Sequence, residues 1–215
     1  MRPLGALPWD SLAEALSREG FVVLRGAFDA AVVKQLSALV SGETSRCPLG
    51  DEVMPAPLAA WRAELYRWLA PVANEWNERL GLAPSFPPRW PAFREQNLAA
   101  GQRRPLCFVE RLAAQAHRPL RQDAEGAQVF PVQVVGLLSA PGAAFTGGEF
   151  VMTEQRPRMQ SRPMVVPLGL GDGALFATAR RPIQGKQGVQ AVTTRHAVSR
   201  VRGGERLDVT LSFHA

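Results

Sequence analysis

Cysteine is scarce in this sequence of 215 residues, which contains only two, Cys47 and Cys107. They lie far apart and form no CxxC pair, so the spacing that zinc sites and redox-active disulfides use is absent. A disulfide framework is equally unexpected, because such frameworks need several cysteines in a short chain. The sequence therefore predicts two unpaired thiols.

Long apolar runs are also absent. No stretch of about eighteen or more apolar residues occurs, as a membrane-spanning helix would require. The residues that follow Met1 do not form the apolar core of a signal peptide. We therefore expect a soluble, cytoplasmic protein without a membrane partner.

Histidine occurs only at His117, His196 and His214, which restricts the metal sites that the chain can build. The sequence has no P-loop, no GxGxxG, no GxSxG and no HExxH motif. These absences give no support to nucleotide binding through a P-loop or Rossmann turn, to a nucleophile-elbow hydrolase or to a zincin protease.

Lysine is nearly missing, since it occurs only at Lys34 and Lys186, yet the formal net charge is +6 at pH 7. Arginine carries almost all of this positive charge. Its planar fork binds phosphate oxygens through two parallel hydrogen bonds, which favours contact with nucleic acid. Arginine in place of lysine also follows from a GC-rich genome, so both interpretations stay open.

The first helix is predicted by apolar residues at helical spacing in residues 9–16. Asp10 or Ser11 is expected to cap its start, and Gly20 is expected to end it. The apolar residues 21–24 then predict a short strand.

Two further helices are predicted in the N-terminal half. Apolar residues recur at helical spacing in residues 32–40, where Asp29 is a candidate cap. Residues 58–80 predict a long helix, which Pro71 is expected to kink or break. Tryptophans recur there at helical spacing, which favours packing in the core over stacking on nucleic-acid bases.

The apolar pattern changes after a proline-rich connector at residues 84–91. From there on, short β-rich runs are separated by Gly or Pro turns, which favours a sandwich or jelly roll over a parallel α/β sheet. The runs lie at residues 106–109, 129–139, 148–152, 164–168, 173–177, 189–194 and 207–213.

The C-terminal half resembles a known group of enzymes. Residues 129–139, 145–162, 195–196 and 213–214 are similar to a bacterial branch of the 2-oxoglutarate/Fe(II) oxygenases, proposed to act oxidatively on damaged or methylated nucleic acid. The second run is long enough to be specific, and residues 9–101 resemble the same group more weakly.

The resemblance implies an α+β fold. Its core is a double-stranded β-helix (jelly roll) in residues 105–215, and a mainly helical region in residues 1–104 packs against it as part of one structural unit.

The resemblance also implies a metal centre. In this group, a His and a carboxylate of an HxD motif and a later His hold Fe(II), leaving positions for 2-oxoglutarate and O2. The carboxylate corresponds to Asp123 and the later histidine to His196. The basic residue that grips the far carboxylate of 2-oxoglutarate corresponds to Arg206, so a 2-oxo acid or another small anion is expected there.

One ligand position departs from the pattern, because Arg121 stands where the HxD histidine is expected. An arginine stays protonated and offers no lone pair, so it cannot ligate iron. Residues two apart on a strand share a face, so the guanidinium is expected to pair with Asp123. His117 and Arg118 replace a further Tyr-Asn pair of the group.

Plainer interpretations of these residues stay open. Arg121 and Asp123 are alternatively an ordinary exposed ion pair, and His196 a buried core histidine. His117 substitutes for the missing ligand only if a loop folds back, because an extended strand places it on the order of 20 Å from Asp123.

Three functions follow as hypotheses. The chain is an iron oxygenase that hydroxylates its substrate, a pseudo-oxygenase that binds nucleic acid, a small ligand or a protein partner, or a catalyst of a metal-free reaction on a small molecule. Arg121 favours the second. Arg156, Arg158 and Arg162 are either nucleic-acid contacts or the solvated rim of a hairpin.

Overall fold

The helices are concentrated in the N-terminal half. The computed structural model describes residues 1–156, 158–185 and 188–214; Pro157, within the basic run that is a candidate nucleic-acid contact, lies outside the described residues. The α-helices are α1 (Trp9–Glu19), α2 (Ala30–Ser37), α3 (Ala56–Arg79) and α4 (Trp90–Ala99), with short 3-10 turns at Leu4–Ala6 and Ala38–Val40.

The helix ends follow local chemistry. α1 begins one residue before Asp10, so the prediction that Asp10 or Ser11 caps it is wrong, and Asp10 instead lies in the first turn, where a negative charge favours the helix. Gly20 ends α1 with a φ of 82°, a left-handed conformation that glycine adopts without strain. Asp29 caps α2 as predicted, accepting a hydrogen bond from the Val32 N–H at 3.0 Å.

The long helix α3 continues through Pro71, so the prediction of a break is wrong. A proline in a helix interior costs about 3 kcal/mol, whereas each large apolar side chain that is buried contributes about 1.5–3 kcal/mol. The apolar face of α3 outweighs the lost hydrogen bond through its buried side chains, among them Leu65, Leu69, Val72 and Trp76.

The strands form two antiparallel sheets. They are β1 (Phe21–Leu24), β2 (Arg46–Pro48), β3 (Phe108–Ala113), β4 (Arg118–Arg121), β5 (Val132–Leu137), β6 (Phe145–Gly147), β7 (Phe150–Gln155), β8 (Arg162–Val166), β9 (Gly173–Ala177), β10 (Arg180–Gly185), β11 (Gly188–Val198) and β12 (Val201–Leu211). The larger sheet has 7 strands in the order β1-β9-β5-β12-β3-β2, with β6 paired to β12. The smaller sheet has 5 strands in the order β10-β11-β7-β8, with β4 paired to β11.

The chain crosses repeatedly between these sheets. From β4 onward it passes to the larger sheet at β5, back at β7, over again at β9, back at β10 and over once more at β12. Such crossings between two antiparallel sheets characterise a jelly roll. The predicted α+β fold with a double-stranded β-helix core and N-terminal helices is therefore confirmed.

Alternation along the strands separates two apolar cores. Val132 and Val134 of β5 pack with the helices on the outer face of the larger sheet. Val135 and Leu137 point the other way and pack between the two sheets. The space between the sheets is therefore where side chains of β3, β4, β11 and β12 meet.

Each predicted β-rich run overlaps a strand, but α4, β2, β6 and β10 were not predicted. β2 and β6 are short, and β10 carries charged residues that hide its apolar character. α4 begins inside the proline-rich connector, where Pro91 fits the first turn because its missing N–H has no partner there.

The two predicted regions share one sheet. β1 and β2 precede residue 105, yet β1 pairs with β9 and β2 pairs with β3 in the larger sheet. The boundary at residue 104 stays a prediction. Among the described helices, none is both long and apolar enough to cross a membrane.

An aromatic cluster joins the helices to the sheet. The ring of Tyr66 in α3 lies 5.1 Å from that of Phe130 and 5.4 Å from that of Phe93 in α4. Phe130 in turn lies 4.8 Å from Phe213, after β12. The tryptophans pack in the core as predicted, since Trp61 and Trp76 are buried and Trp68 stacks on Trp9.

Replacing Phe130 by alanine tests this junction. We expect Phe130→Ala to lower the free energy of unfolding by about 3–5 kcal/mol, because it leaves a cavity among four aromatic rings. Val53→Ala, at an exposed position, is the control and should change stability by less than about 0.5 kcal/mol. Urea denaturation measures both. Equal, small losses would show that the cluster does not hold the helices to the sheet.

Candidate functional site

β4 and β11 bring the first two candidate residues together. Arg121, the last residue of β4, is paired in register with His196 of β11. The chain then leaves the strand, so Asp123 lies past the end of β4 and not on its face as the HxD spacing predicts. Gln122 anchors this turn by donating hydrogen bonds to the carbonyls of Ala179 at 3.1 Å and Thr194 at 2.9 Å.

The Asp123 carboxylate lies between a guanidinium and an imidazole. Arg121 donates from Nε to Oδ1 at 2.8 Å and from Nη2 to Oδ2 at 3.3 Å. The Nε2 atom of His196 lies 3.3 Å from Oδ2. The three candidate residues therefore form one cluster, and the Arg121–Asp123 pair is half-buried, not fully exposed.

His196 is buried between two phenylalanine rings. Its ring centroid lies 4.9 Å from that of Phe176 and 5.9 Å from that of Phe150. Among the described residues neither ring nitrogen has a hydrogen-bond partner of normal geometry, and Nε2 has only its 3.3 Å approach to Asp123 Oδ2. This buried imidazole has two unsatisfied nitrogen atoms, which is unusual in a protein core.

Burial and charge shift the pKa values of the cluster. Burial lowers the pKa of His196 below its ordinary value, although the nearby Asp123 carboxylate opposes this. For Asp123, burial alone would raise the pKa, but contacts with His196 and Arg121 outweigh it and lower the pKa well below its usual range. The cluster is thus a buried imidazole, whose charged form burial disfavours, beside a paired carboxylate and guanidinium.

Arg206 belongs to a second buried charge network. It is 1% exposed and contacts Asp208, which lies on the same face of β12. Arg118 of β4 donates to the other Asp208 oxygen at 3.0 Å and from Nε to Glu110 at 2.9 Å. Burial, and then the nearby charge of Arg118, lower the pKa of Arg206 to about 9. Two arginines and two carboxylates therefore neutralise each other between the sheets.

The two networks line different spaces. Arg206 lines a cavity of about 340 Å³ together with Thr146, Gly148 and Glu149. A side chain at residue 148 would place its Cβ 2.9 Å from the Arg206 Cδ, so glycine makes room for the arginine. Asp123 lines a much smaller space of about 10 Å³.

The basic hairpin between β7 and β8 is separate from both networks. Arg156 donates from Nε to buried Glu154 at 2.9 Å, and Glu154 also contacts buried Arg181. Arg158 and Arg162 are exposed. The structure therefore leaves two of the three predicted nucleic-acid contacts facing solvent and directs the third toward an internal carboxylate.

The sequence matches a known protein family. Residues 50–215 match the family model Oxygenase-NA, described as an oxygenase catalysing oxidative methylation of damaged DNA. The chain belongs to this oxygenase family. An uncharacterized protein of Mycobacterium tuberculosis strain H37Rv is 35% identical over 202 residues, which are 94% of this chain and 83% of that protein.

Solved structures support the oxygenase fold. A 2OG-Fe(II) oxygenase-family oxidoreductase of Burkholderia pseudomallei is 20% identical with a TM-score of 0.56, covering 95% of this chain and 89% of that one. A prolyl-4-hydroxylase of Pseudomonas putida is 16% identical with a TM-score of 0.51, covering 94% and 96% respectively. At these identities the likeness shows the fold alone.

The iron that the oxygenase family implies does not fit the residues present. Within the cluster, the Asp123 carboxylate and the His196 imidazole offer lone pairs, whereas the third member, Arg121, is a protonated guanidinium that offers none. Among the described residues, no group of three His, Cys, Asp or Glu side chains comes together to hold a metal ion. His117 is exposed just before β4 and does not complete the set.

Sequence reasoning missed Glu110, Asp208 and the burial of Arg118. A signal was available, because Arg206, Asp208 and Thr210 alternate with apolar residues along β12 and so must share the inner face. Their partners on β3 and β4 come from strand register, which sequence spacing alone does not provide.

The buried imidazole predicts a pH dependence of stability. Because folding lowers the pKa of His196, the unfolded state binds more protons below the ordinary value of 6.5, and stability falls as the pH falls through that value. Asp123, with its lowered pKa, adds stability that is present above 3.8 and is lost only at lower pH.

We therefore expect His196→Gln to reduce the loss of unfolding free energy between about pH 7 and pH 5. His117→Gln, which removes an exposed histidine, is the matched control and should retain the wild-type pH profile. Urea denaturation across this range measures the profiles. Identical profiles for all three proteins would contradict the assignment of a neutral, buried His196.

Proposed function

We propose that this chain is an oxygenase-family member with a degenerate iron site, and that it acts by binding a ligand without redox chemistry. The observation that carries the proposal is the Arg121 guanidinium, which holds both oxygens of Asp123 beside His196. The family description concerns oxidation of DNA, whereas the donor atoms in this chain support a pseudo-oxygenase.

The charge arrangement supports the proposal. A divalent cation at Asp123 would have to displace a guanidinium that hydrogen-bonds the same carboxylate, and the two cations would repel each other at short range. Two remaining protein ligands also bind a metal more weakly than three, because water must replace the missing one.

A small anion near Arg206 is part of the same proposal. Arg206 lines the cavity of about 340 Å³, and its buried Nε has no hydrogen-bond partner among the described residues. Asp208 already neutralises one side of the guanidinium. We therefore expect 2-oxoglutarate to bind there more weakly than at an arginine without an internal carboxylate partner.

Restoring the histidine tests the role of Arg121. Wild-type protein should show no Mn(II) binding at micromolar concentrations in anaerobic calorimetry, whereas Arg121→His should gain it, because the substitution supplies an imidazole and frees Asp123. Arg121→Gln is the control, since it frees Asp123 without adding a strong ligand. It should bind Mn(II) at least about tenfold more weakly than Arg121→His.

Enzyme activity gives an independent readout. Wild-type protein supplied with Fe(II), O2 and 2-oxoglutarate should form no succinate above the level of the no-protein blank. Succinate formation by wild-type protein, or tight Mn(II) binding by it, would overturn the proposal. Absence of metal binding by Arg121→His would instead show that Arg121 does not occupy the ligand position.

We also propose nucleic acid as a partner of the β7–β8 hairpin. Arg158 and Arg162 are exposed on it, and the chain carries a net charge of +6. Guanidinium contacts with phosphate release counterions, so such binding weakens steeply as salt rises.

Removing the two exposed arginines tests this partner. The double variant Arg158→Gln/Arg162→Gln should bind single-stranded DNA more weakly and lower the slope of log affinity against log salt by about 1–2. Arg18→Gln/Arg103→Gln removes the same charge elsewhere on the surface and should keep the wild-type slope. Fluorescence anisotropy measures both. A flat salt dependence of wild-type binding would leave the hairpin charge without this role.

A further inference from the structure

A cavity of about 460 Å³ lies where the C-terminal end of α3 meets the loops of the jelly roll. Trp76 and Phe86 provide aromatic walls, and Leu80 and Leu82 provide aliphatic ones. Leu82 is 55% exposed, so this wall of the cavity is open to solvent. The volume and the apolar lining are those of sites for small organic molecules.

The described lining of this cavity has few polar side chains, and its one charged side chain is positive. Arg180, at the start of β10, is exposed and has no ion-pair partner among the described residues. Asn77 is held in place, because its Nδ2 donates to Ser85 Oγ at 3.2 Å and to the Ala83 carbonyl at 3.4 Å. The described lining residues include no carboxylate, so Arg180 is the one charged side chain among them and attracts an anionic group.

The cavity adjoins the Arg121–Asp123–His196 cluster without being part of it. Ala124, which follows Asp123, and Ala179 both line the cavity. The Ala179 carbonyl also accepts the hydrogen bond from Gln122 that anchors the turn carrying Asp123. A ligand in the cavity therefore lies against the backbone that positions the cluster, and it needs no bond to the Asp123 carboxylate.

We propose that this cavity binds a small planar aromatic carboxylate, with its ring against Trp76 and Phe86 and its carboxylate at Arg180. Aromatic rings pack favourably edge-on or offset against other rings, and the guanidinium fork matches a carboxylate in two parallel hydrogen bonds. This inference rests on the proposed function in one respect, namely that the protein acts by binding a ligand.

Isothermal titration of the full chain with 1-naphthoate, and with neutral 1-naphthamide for comparison, tests the proposal. Naphthoate should bind at least about tenfold more tightly than naphthamide, because a charge-assisted hydrogen bond is stronger than a neutral one. Arg180→Gln should lower naphthoate affinity about tenfold and leave naphthamide affinity unchanged.

A second test of the proposal fills the cavity with a larger side chain. Ala191→Trp should abolish binding of both compounds, because residue 191 lines the cavity. Ala197→Trp, farther along β11, is the matched control and should bind both as wild type does. Circular dichroism verifies that each variant is folded, and the Arg180→Gln comparison decides the matter if Ala191→Trp does not fold.

Several results would overturn the ligand assignment. These are no binding of naphthoate, equal binding of naphthoate and naphthamide, or binding that survives in a folded Ala191→Trp protein. None of them bears on Mn(II) binding or succinate formation, which test the iron site. Failure of the cavity proposal is therefore distinguishable from failure of the proposed pseudo-oxygenase function.

Discussion

A guanidinium carries its charge at neutral pH, so an arginine buried between two sheets is stable there only when it is paired with a carboxylate. This constraint organises the interior of the jelly roll. β4 carries Arg118 and Arg121 to the inner face, and each needs an acidic partner from elsewhere in the chain. Asp123 serves Arg121, and Glu110 and Asp208 serve Arg118. The carboxylates nearest the implied metal and co-substrate positions are therefore committed to internal ion pairs.

β4 is a minor part of the two sheets. That strand has four residues and pairs only at its contact with β11, while the apolar clusters and the turns lie elsewhere. Gly204, within β12 where it pairs with β6, shows such a backbone constraint, with a φ of 72° and a hypothetical Cβ only 2.0 Å from the Ala144 carbonyl oxygen. Packing and backbone geometry hold the jelly roll together, whereas the candidate site depends on a few side chains from β4, the segment after it, β11 and β12.

The difference between local sequence features and contacts between distant strands explains what the sequence could predict. Strand periodicity, the Gly20 and Asp29 helix signals and the family resemblance are local features, and they were sufficient for the fold and for the three cluster residues. Buried partners such as Asp208 for Arg118 depend on which strands become neighbours, and that register arises only when the whole sheet forms. The continuity of α3 through Pro71 likewise depends on packing along the entire helix and not on the local preference of proline.

The aromatic-lined cavity is formed by residues outside the Arg121–Asp123–His196 cluster. Its walls come from the C-terminal part of α3, the loop that precedes α4, Ala179, whose carbonyl anchors Gln122, and residues of β10 and β11. The Arg121–Asp123 ion pair leaves a space of only about 10 Å³ beside Asp123, so a ligand that needed that carboxylate would have to break the pair. A ligand that is held by aromatic rings and Arg180 can bind while the Arg121–Asp123 ion pair stays intact. Because the lining residues of the cavity do not include Arg121, Asp123 or His196, the proposed binding there does not depend on whether the cluster holds a metal.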